Sequence, residues 1–106
     1  MNNLSNLTVV ILTHKTNKKI LYDCISSIDN NVNIIIVENS KAFSFEKETK
    51  EKFKNVEIFC SGSNLGYGAG NNYGINKTKT KYALILNPDL ICDQKFFINI
   101  MNKYFS

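Results

Sequence analysis

Short apolar runs alternate with stretches of helical or mixed polar character along the chain. Leu7–Thr13 and residues 33–37 are continuous runs of aliphatic and β-branched residues, which is typical of strands buried on both faces of a parallel sheet. Val56–Cys60 and residues 81–86 predict a third and a fourth strand, so that all four strands are expected to be buried. Helices are predicted over residues 18–28, 46–54, a segment that ends near Lys77, and 94–105 with Asp93 as N-cap.

This alternation predicts an α/β fold. Right-handed βαβ units give a mainly parallel sheet with helices on both faces, in a Rossmann-like three-layer α/β/α arrangement. A strand order of 3-2-1-4 places the switch point between strands 1 and 4, where such sheets bind ligands beyond the carboxyl ends of their strands. His14, Glu38 and the turn at residues 87–89 follow strand ends, so we expect them to face one crevice.

Composition narrows the class of protein. A chain of 106 residues with 43% hydrophobic content allows one domain with a proper core. The net charge of +4 arises from thirteen lysines and no arginine. Glu46 and Lys50, and Glu48 and Lys52, stand four apart and can pair on a helix surface. We therefore expect a solvated helix face and no nucleic-acid partner, since arginine is the usual reader of phosphate and guanine.

The cysteines and the longest apolar runs indicate the cellular compartment in which the protein is expected. Cys24, Cys60 and Cys92 are odd in number and widely spaced, which fits neither a disulfide framework nor a zinc site, so buried reduced thiols are predicted. No run has the features of a signal peptide or the length of a membrane span. The prediction is a cytoplasmic protein without a transmembrane segment, which associates with a membrane only through partners.

The turn Asn87-Pro88-Asp89 is a candidate metal site. It follows an apolar strand, and Pro88 ends the strand ladder and fixes the shape of the turn. A rigidly held Asp89 carboxylate suits Mg²⁺ or Mn²⁺, which take one or two protein oxygens and complete their shells with substrate phosphates and water. An ordinary turn that ends the strand is the alternative.

The segment at residues 64–74 holds four of the five glycines. Gly66, Gly68 and Gly70 before a helix allow close backbone approach and leave amides free for an anion. The segment is neither a Walker loop nor a dinucleotide fingerprint. The alternative is a flexible loop. Tyr67 and Tyr73 could stack on a base, although packing against the sheet explains Tyr73 better.

Polar residues also follow strands 1 and 2. Glu38 could accept hydrogen bonds from a base or a ribose hydroxyl. Turn formation is the competing explanation for Asn39 and Ser40. His14 is the single histidine and is assigned proximity to a ligand without an acid–base role. No serine or cysteine has a placeable base, so covalent catalysis is not supported.

Together these motifs resemble the N-terminal half of the family 2 glycosyltransferases with the GT-A fold, particularly the rhamnosyltransferase-like group. The resemblance extends over about 85 residues in the family's order. The matching segments are LTVVILTHK (7–15), IIIVENS (34–40), NLGYGAGNNYGI (64–75) and LILNPDL (84–90).

The resemblance implies roles for individual residues in binding a nucleoside-diphosphate sugar. The nucleoside would be bordered by Thr13, His14 and Glu38. The nucleotide-sugar pocket would be shaped by Asn64, Gly66, Asn72 and Asn87, and the divalent metal would be held by Asp89. Two residues depart from the family pattern. Glu38 stands where Asp is usual, and Asn87 replaces the first Asp of the Asp-x-Asp motif, as it does in the rhamnosyltransferase-like group.

The family transfers a sugar to a glycan or lipid-linked acceptor, with a general base supplied by its second half. We therefore expect residues 1–106 to form a single nucleotide-sugar-binding domain, which is a partial GT-A domain with little activity alone. The catalytic residue is not assigned. The alternative is a non-catalytic interaction domain, in which the apolar C-terminal helix pairs two copies of the chain as a homo-oligomer.

Overall fold

The structure is a computed structural model that describes residues 3–93 and 95–104. A short 3-10 helix (Asn3–Asn6) precedes the sheet. The strands are β1 (Leu7–Thr13), β2 (Asn33–Glu38), β3 (Val56–Cys60) and β4 (Tyr82–Ile85). The α-helices are α1 (Lys18–Ser26), α2 (Glu46–Lys52), α3 (Tyr67–Lys77) and α4 (Phe96–Tyr104). All strand pairings are parallel and the order is β3-β2-β1-β4, which confirms the predicted α/β fold and topology.

Burial differs between the central and the outer strands. β1 and β2 are almost entirely buried, as predicted. The prediction that strand 4 is also buried is wrong, because Tyr82 and Ile85 are 37% and 39% exposed. β4 is at the end of the strand order and pairs only with β1 among the described strands.

The helices end close to the predicted positions. α1 stops at Ser26 because the amides of Ser27 and Ile28 donate to carbonyls three residues back, which tightens the last turn. α2 stops at Lys52 because Phe53 is extended and packs its ring against Tyr22, 5.1 Å away. Residues 94 and 105, the predicted bounds of the last helix, lie outside the described residues.

One of the two predicted charge pairs forms within α2. Glu46 and Lys50 lie 3.1 Å apart, as predicted. Glu48 instead lies 3.2 Å from Lys18 of α1, so its carboxylate links two helices.

The main core lies on the face of the sheet that carries Val9, Ile11, Ile34 and Ile36. Leu21, Cys24 and Ile25 of α1 and Phe97 of α4 pack on this face, with aromatic rings from the region of α2 beside them. None of the helices in the described ranges is long and apolar enough to cross a membrane.

α3 packs on the opposite face of the sheet at short range. A Cβ atom at Gly74 would lie 2.5 Å from Cγ1 of Val10 and 2.9 Å from Cγ2 of Val37. At Gly70 the nearest atoms belong to Leu12 and Asn39. The glycines therefore let the helix sit directly on β1 and β2, and this contact brings the start of α3 to the carboxyl edge of the sheet.

The three cysteines are free thiols. Cys24 is buried, as predicted, whereas Cys60 and Cys92 are only partly buried, because they lie at the sheet edge and in the segment after β4. Burial raises the pKa of the Cys24 thiol to about 12, with Cys92 and Asp89 adding a smaller electrostatic effect. Cys24 thus stays protonated and behaves as a core residue.

We expect Gly74→Ala to lower the free energy of unfolding by about 1–3 kcal/mol, because the added methyl group meets two β-branched side chains in central strands. Gly68→Ala is the matched control within the same helix, since a Cβ there meets nothing within 4 Å. Its unfolding free energy should be unchanged or raised by up to about 1 kcal/mol. Urea denaturation measures both, and equal stability of the two variants would contradict the close packing of α3.

Candidate functional site

The carboxyl ends of the four parallel strands meet at one edge of the sheet. Thr13 is level with Glu38, and Glu38 is level with Cys60 of β3. On the other side of β1, the amide of Leu86 donates to the carbonyl of Val10, so the chain after β4 leaves at the same edge. The residues predicted to face one crevice therefore follow strand ends along a single edge, on both sides of the switch point.

Glu38 is buried at this edge, with 1% of its surface exposed. Its Oε1 atom accepts a hydrogen bond from Thr13 Oγ1 at 2.8 Å. Its Oε2 atom accepts from Ser40 Oγ at 2.6 Å and from the amide of Lys15 at 3.1 Å. The carboxylate thus joins the end of β1, the turn after it and the segment that follows β2.

The turn after β1 has an unusual backbone. Lys15 has a φ of 53°, a left-handed conformation that costs a non-glycine residue roughly 1–2 kcal/mol. The charged acceptor Glu38 offsets this cost by binding the Lys15 amide. The exposed side chains of His14 and Lys15 are consequently presented at the rim of the crevice.

Asn39 connects β2 to the glycine-rich segment, a role that the sequence analysis missed when it gave Asn39 only a turn. Its side chain is 2% exposed. Oδ1 accepts from the amide of Leu65 at 3.0 Å and from Ser61 Oγ at 2.8 Å. Nδ2 donates to Asn64 Oδ1 at 3.1 Å and to the Gly66 carbonyl at 3.3 Å. The signal in the sequence was an amide side chain, with both donor and acceptor atoms, directly after a buried strand.

Asn64 and Gly66 form the bend that leads into α3. The Gly66 amide donates to Asn64 Oδ1 at 3.0 Å. Gly66 has a φ of 86° at the N-cap position, where a residue with a Cβ atom would be strained. The bend is therefore specified by the Asn64 side chain, which accepts from the backbone two residues on, and by glycine at position 66.

Two adjacent asparagines in α3 have opposite environments. Asn72, the residue singled out from the sequence, is exposed. Asn71 is 3% exposed, and neither its amide nitrogen nor its oxygen has a hydrogen-bond partner among the described residues. Asn71 lies four residues after Tyr67 and hence on the same side of the helix. Sequence reasoning missed it because adjacent identical residues give no indication of which one is buried.

The Asn87-Pro88-Asp89 turn follows β4 and is contacted by the start of α3. The Tyr67 hydroxyl donates to Asn87 Oδ1 at 3.3 Å, and the Leu90 amide closes the turn on the Asn87 carbonyl at 3.2 Å. Cys24 Sγ donates to the same carbonyl at 3.8 Å. Asp89 itself is exposed. The start of α3 and the predicted metal motif are therefore in direct contact.

A cavity of about 360 Å³ opens beside Glu38. Its lining combines a lysine, polar groups and two aromatic rings: Lys15, Thr16, Glu38, Ala42, Phe43, Ser44 and Phe45. Its volume is within the range of small-molecule sites. It adjoins the turn after β1, on the β2 side of the switch point.

The oxygen atoms at residues 87–89 fit a divalent cation that completes its coordination shell with substrate and water. The described residues contain no cluster of three or more histidine, cysteine, aspartate or glutamate side chains, so a site built only from protein ligands is absent there. One exposed carboxylate beside an amide oxygen matches the pattern in which Mg²⁺ or Mn²⁺ takes one or two protein oxygens and the rest from substrate and water.

Known proteins resemble this chain in sequence and in fold. The family model for glycosyl transferase family 2 matches residues 8–105. The uncharacterized glycosyltransferase MJ1057 of Methanocaldococcus jannaschii is 33% identical over 91 residues, which cover 78% of this chain and 31% of that protein. The low-salt glycan biosynthesis hexosyltransferase Agl10 of Haloferax volcanii is 30% identical over 93 residues, or 82% of this chain and 29% of the relative.

Solved structures of S. aureus TarS 1-349 share the fold. One superposes with a TM-score of 0.74 at 12% identity, and the superposition covers 94% of this chain and 33% of TarS 1-349. A second, in complex with UDP, has a TM-score of 0.72 at 14% identity, with the same coverage. The chain spans about a third of the length of these relatives. With the family model matched over nearly its whole length, the chain belongs to glycosyl transferase family 2.

Proposed function

We propose that this chain forms the donor-binding part of a glycosyltransferase, which takes a nucleoside-diphosphate sugar and transfers the sugar to an acceptor in glycan or polysaccharide biosynthesis. The observation that carries the proposal is the buried network at the carboxyl edge, in which Glu38 and Asn39 hold Thr13, Asn64 and Gly66 in fixed positions. The UDP bound to TarS and the glycan-biosynthesis role named for Agl10 support the same class of reaction.

The nucleoside is proposed to bind beside β1 and β2. Thr13, His14 and Glu38 border this position, and the cavity of about 360 Å³ next to Glu38 provides space there. Phe43 and Phe45 form an apolar wall in that cavity, which suits the flat face of a base.

The diphosphate and the sugar are proposed to lie between the start of α3 and the turn after β4. This pocket is proposed to be shaped by Asn64, Gly66 and Asn72. Gly66 has no side chain at the bend, so a ligand can approach the backbone there, and the first amides of α3 favour an anion. Asp89 would hold Mg²⁺ or Mn²⁺, and Asn87 would border the nucleotide sugar beside it. When bound, such a cation offsets the negative charge of the leaving diphosphate.

The other partners are part of the proposal. Residues 1–106 are proposed as a single nucleotide-sugar-binding domain, and a glycan or lipid-linked molecule as the acceptor. The general base that deprotonates the acceptor is not assigned to any residue of this chain. The cytoplasmic location, the absence of a nucleic-acid partner and pairing through α4 stay predictions.

Removal of the carboxylate at residue 89 tests the metal assignment. Titration calorimetry with UDP-, dTDP- and GDP-sugars should detect binding of at least one donor in the presence of Mn²⁺. We expect Asp89→Ala to weaken that binding about tenfold or more, which is roughly 1.4 kcal/mol. In EDTA the same substitution should no longer weaken binding, because Asp89 then has no cation to hold.

The matched control is Asp23→Ala, which removes an exposed carboxylate on α1 that pairs only with Lys19 in the described structure. It should leave the affinity for the donor unchanged. No heat with any donor would overturn the proposed function, whereas donor binding that is equal with Mn²⁺ and with EDTA would overturn the metal assignment alone.

A substitution at Asn39 tests whether the network shapes the pocket. Asn39→Asp keeps the acceptor oxygen for Leu65 and Ser61 but replaces the Nδ2 donor with an oxygen that faces Asn64 Oδ1. We expect the affinity for the nucleotide sugar to fall about tenfold. The substitution removes a hydrogen bond between neutral groups and places two oxygens, which repel each other, in its position. Calorimetry would compare it with Asn76→Asp, an exposed change on α3 that should bind as the original chain does.

A second candidate function is pairing with another copy of the chain. It is favoured by the large exposed side chains of Leu90 (47%), Ile91 (63%) and Ile98 (51%) in and before α4. Sedimentation equilibrium decides between the two: a stable dimer with no affinity for nucleotides would favour the interaction domain, and a monomer that binds a donor would exclude it.

A further inference from the structure

We propose that Glu38 is a positioning residue for the nucleotide pocket and not a reader of the base. The proposal deepens the proposed function and rests on it. It differs from the role that the resemblance implies for an acidic residue at the end of β2, because the carboxylate of Glu38 is already occupied within the protein.

The carboxylate of Glu38 is occupied by hydrogen-bond donors of the protein itself. Three donors reach it: the Thr13 hydroxyl, the Lys15 amide and the Ser40 hydroxyl. The Lys15 amide also lies 3.4 Å from Oε1, so it is shared between both oxygens. A carboxylate offers about four acceptor positions. With 1% of its surface exposed, Glu38 has little left to offer the N–H of a base.

Glu38 joins three places in the chain around the end of the sheet. Thr13 ends β1, Lys15 lies in the turn that follows, and Ser40 is the second residue after the end of β2. The ends of β1 and β2 are also linked by the Asn39 amide, which donates to the Thr13 carbonyl at 2.7 Å. Glu38 therefore adds a charged side-chain staple to a backbone link, next to the proposed nucleoside pocket.

The turn that Glu38 contacts has a left-handed backbone at Lys15. A φ of 53° is unfavourable for lysine unless the surrounding structure holds it. The Glu38 carboxylate supplies that hold through the Lys15 amide. The length of glutamate is significant here, because an aspartate would withdraw the carboxylate from the turn by one methylene group.

The two roles predict different effects on specificity. If Glu38 reads the base, its removal alters the preference among bases. If Glu38 holds the turn, its removal lowers the affinity for every nucleotide in the same proportion, because the whole rim that carries His14 and Lys15 becomes less ordered.

The experiment measures binding of UDP, dTDP and GDP, each with Mn²⁺, by titration calorimetry. Glu38→Gln keeps the size of the side chain but turns one acceptor oxygen into a donor. We expect its affinity for all three nucleotides to fall by about tenfold or more, with their ratios unchanged within about twofold. Ser40→Ala, which removes one donor to Glu38, should show the same uniform pattern at about three- to tenfold.

Ser26→Ala is the control for Ser40→Ala, since Ser26 is exposed at the far end of α1. It should bind all three nucleotides as the original chain does. A change in the ratio between nucleotides of more than about fivefold in Glu38→Gln would overturn the proposal, because it would show that the carboxylate reads the base.

A second readout needs no nucleotide. In the free protein, the NMR signal of the Lys15 amide should move upfield and exchange faster with solvent in Glu38→Gln. The amides of Val10 and Ile36 in the central strands should exchange as slowly as before. General destabilisation would instead speed the exchange of all these amides together. An unchanged Lys15 amide would overturn the proposal.

The two hypotheses fail in different ways. If the original chain binds no nucleotide, the proposed function falls, and the amide comparison still decides whether Glu38 holds the turn. If nucleotides bind and only their ratio changes in Glu38→Gln, the proposed function stands and the positioning role falls.

Discussion

The structure depends on how two polar side chains are buried at the end of β2. Glu38 and Asn39 are 1% and 2% exposed, and groups of this kind cost several kcal/mol to bury unless they are hydrogen-bonded. Their partners come from the end of β1, from the turn after it and from the segment before α3. The loops must therefore take the positions that satisfy this pair, and the shape of the carboxyl edge follows from that requirement.

The packing of α3 serves the same edge from the other face of the sheet. Gly70 and Gly74 allow the helix axis to approach β1 and β2, and this approach sets where the first turn of the helix begins. From there the Tyr67 hydroxyl reaches Asn87, so the helix connects the glycine-rich segment to the turn after β4. A helix with larger side chains on this face would stand farther from the sheet and separate the two motifs.

The strands could be predicted from the sequence, because continuous apolar runs report burial within a strand itself. Their order could not be read from these runs and was expected from the general pattern of doubly wound sheets and the resemblance to the GT-A fold. The exposure of β4 could not be predicted, since it depends on which strands lie beside it. The same limit applies to the site. Thr13 and Glu38 were placed at the carboxyl edge by their position after apolar runs, but the role of Asn39 arises from contacts with Asn64 and Leu65, about 25 residues away. Which of Asn71 and Asn72 is buried depends on how α3 is rotated on the sheet.

The charge at this edge restricts how a diphosphate could be held. The chain has no arginine, and the rim provides Lys15, backbone amides and one exposed carboxylate at Asp89. A carboxylate alone would repel a diphosphate, so Asp89 favours that ligand only when a divalent cation lies between them. Asn87 is neutral where the family's usual motif has its first aspartate. Less of the cation's positive charge would therefore be neutralised by the protein, and more would be available to attract the phosphates. The affinities for cation and diphosphate should consequently be coupled, with each strengthening the other.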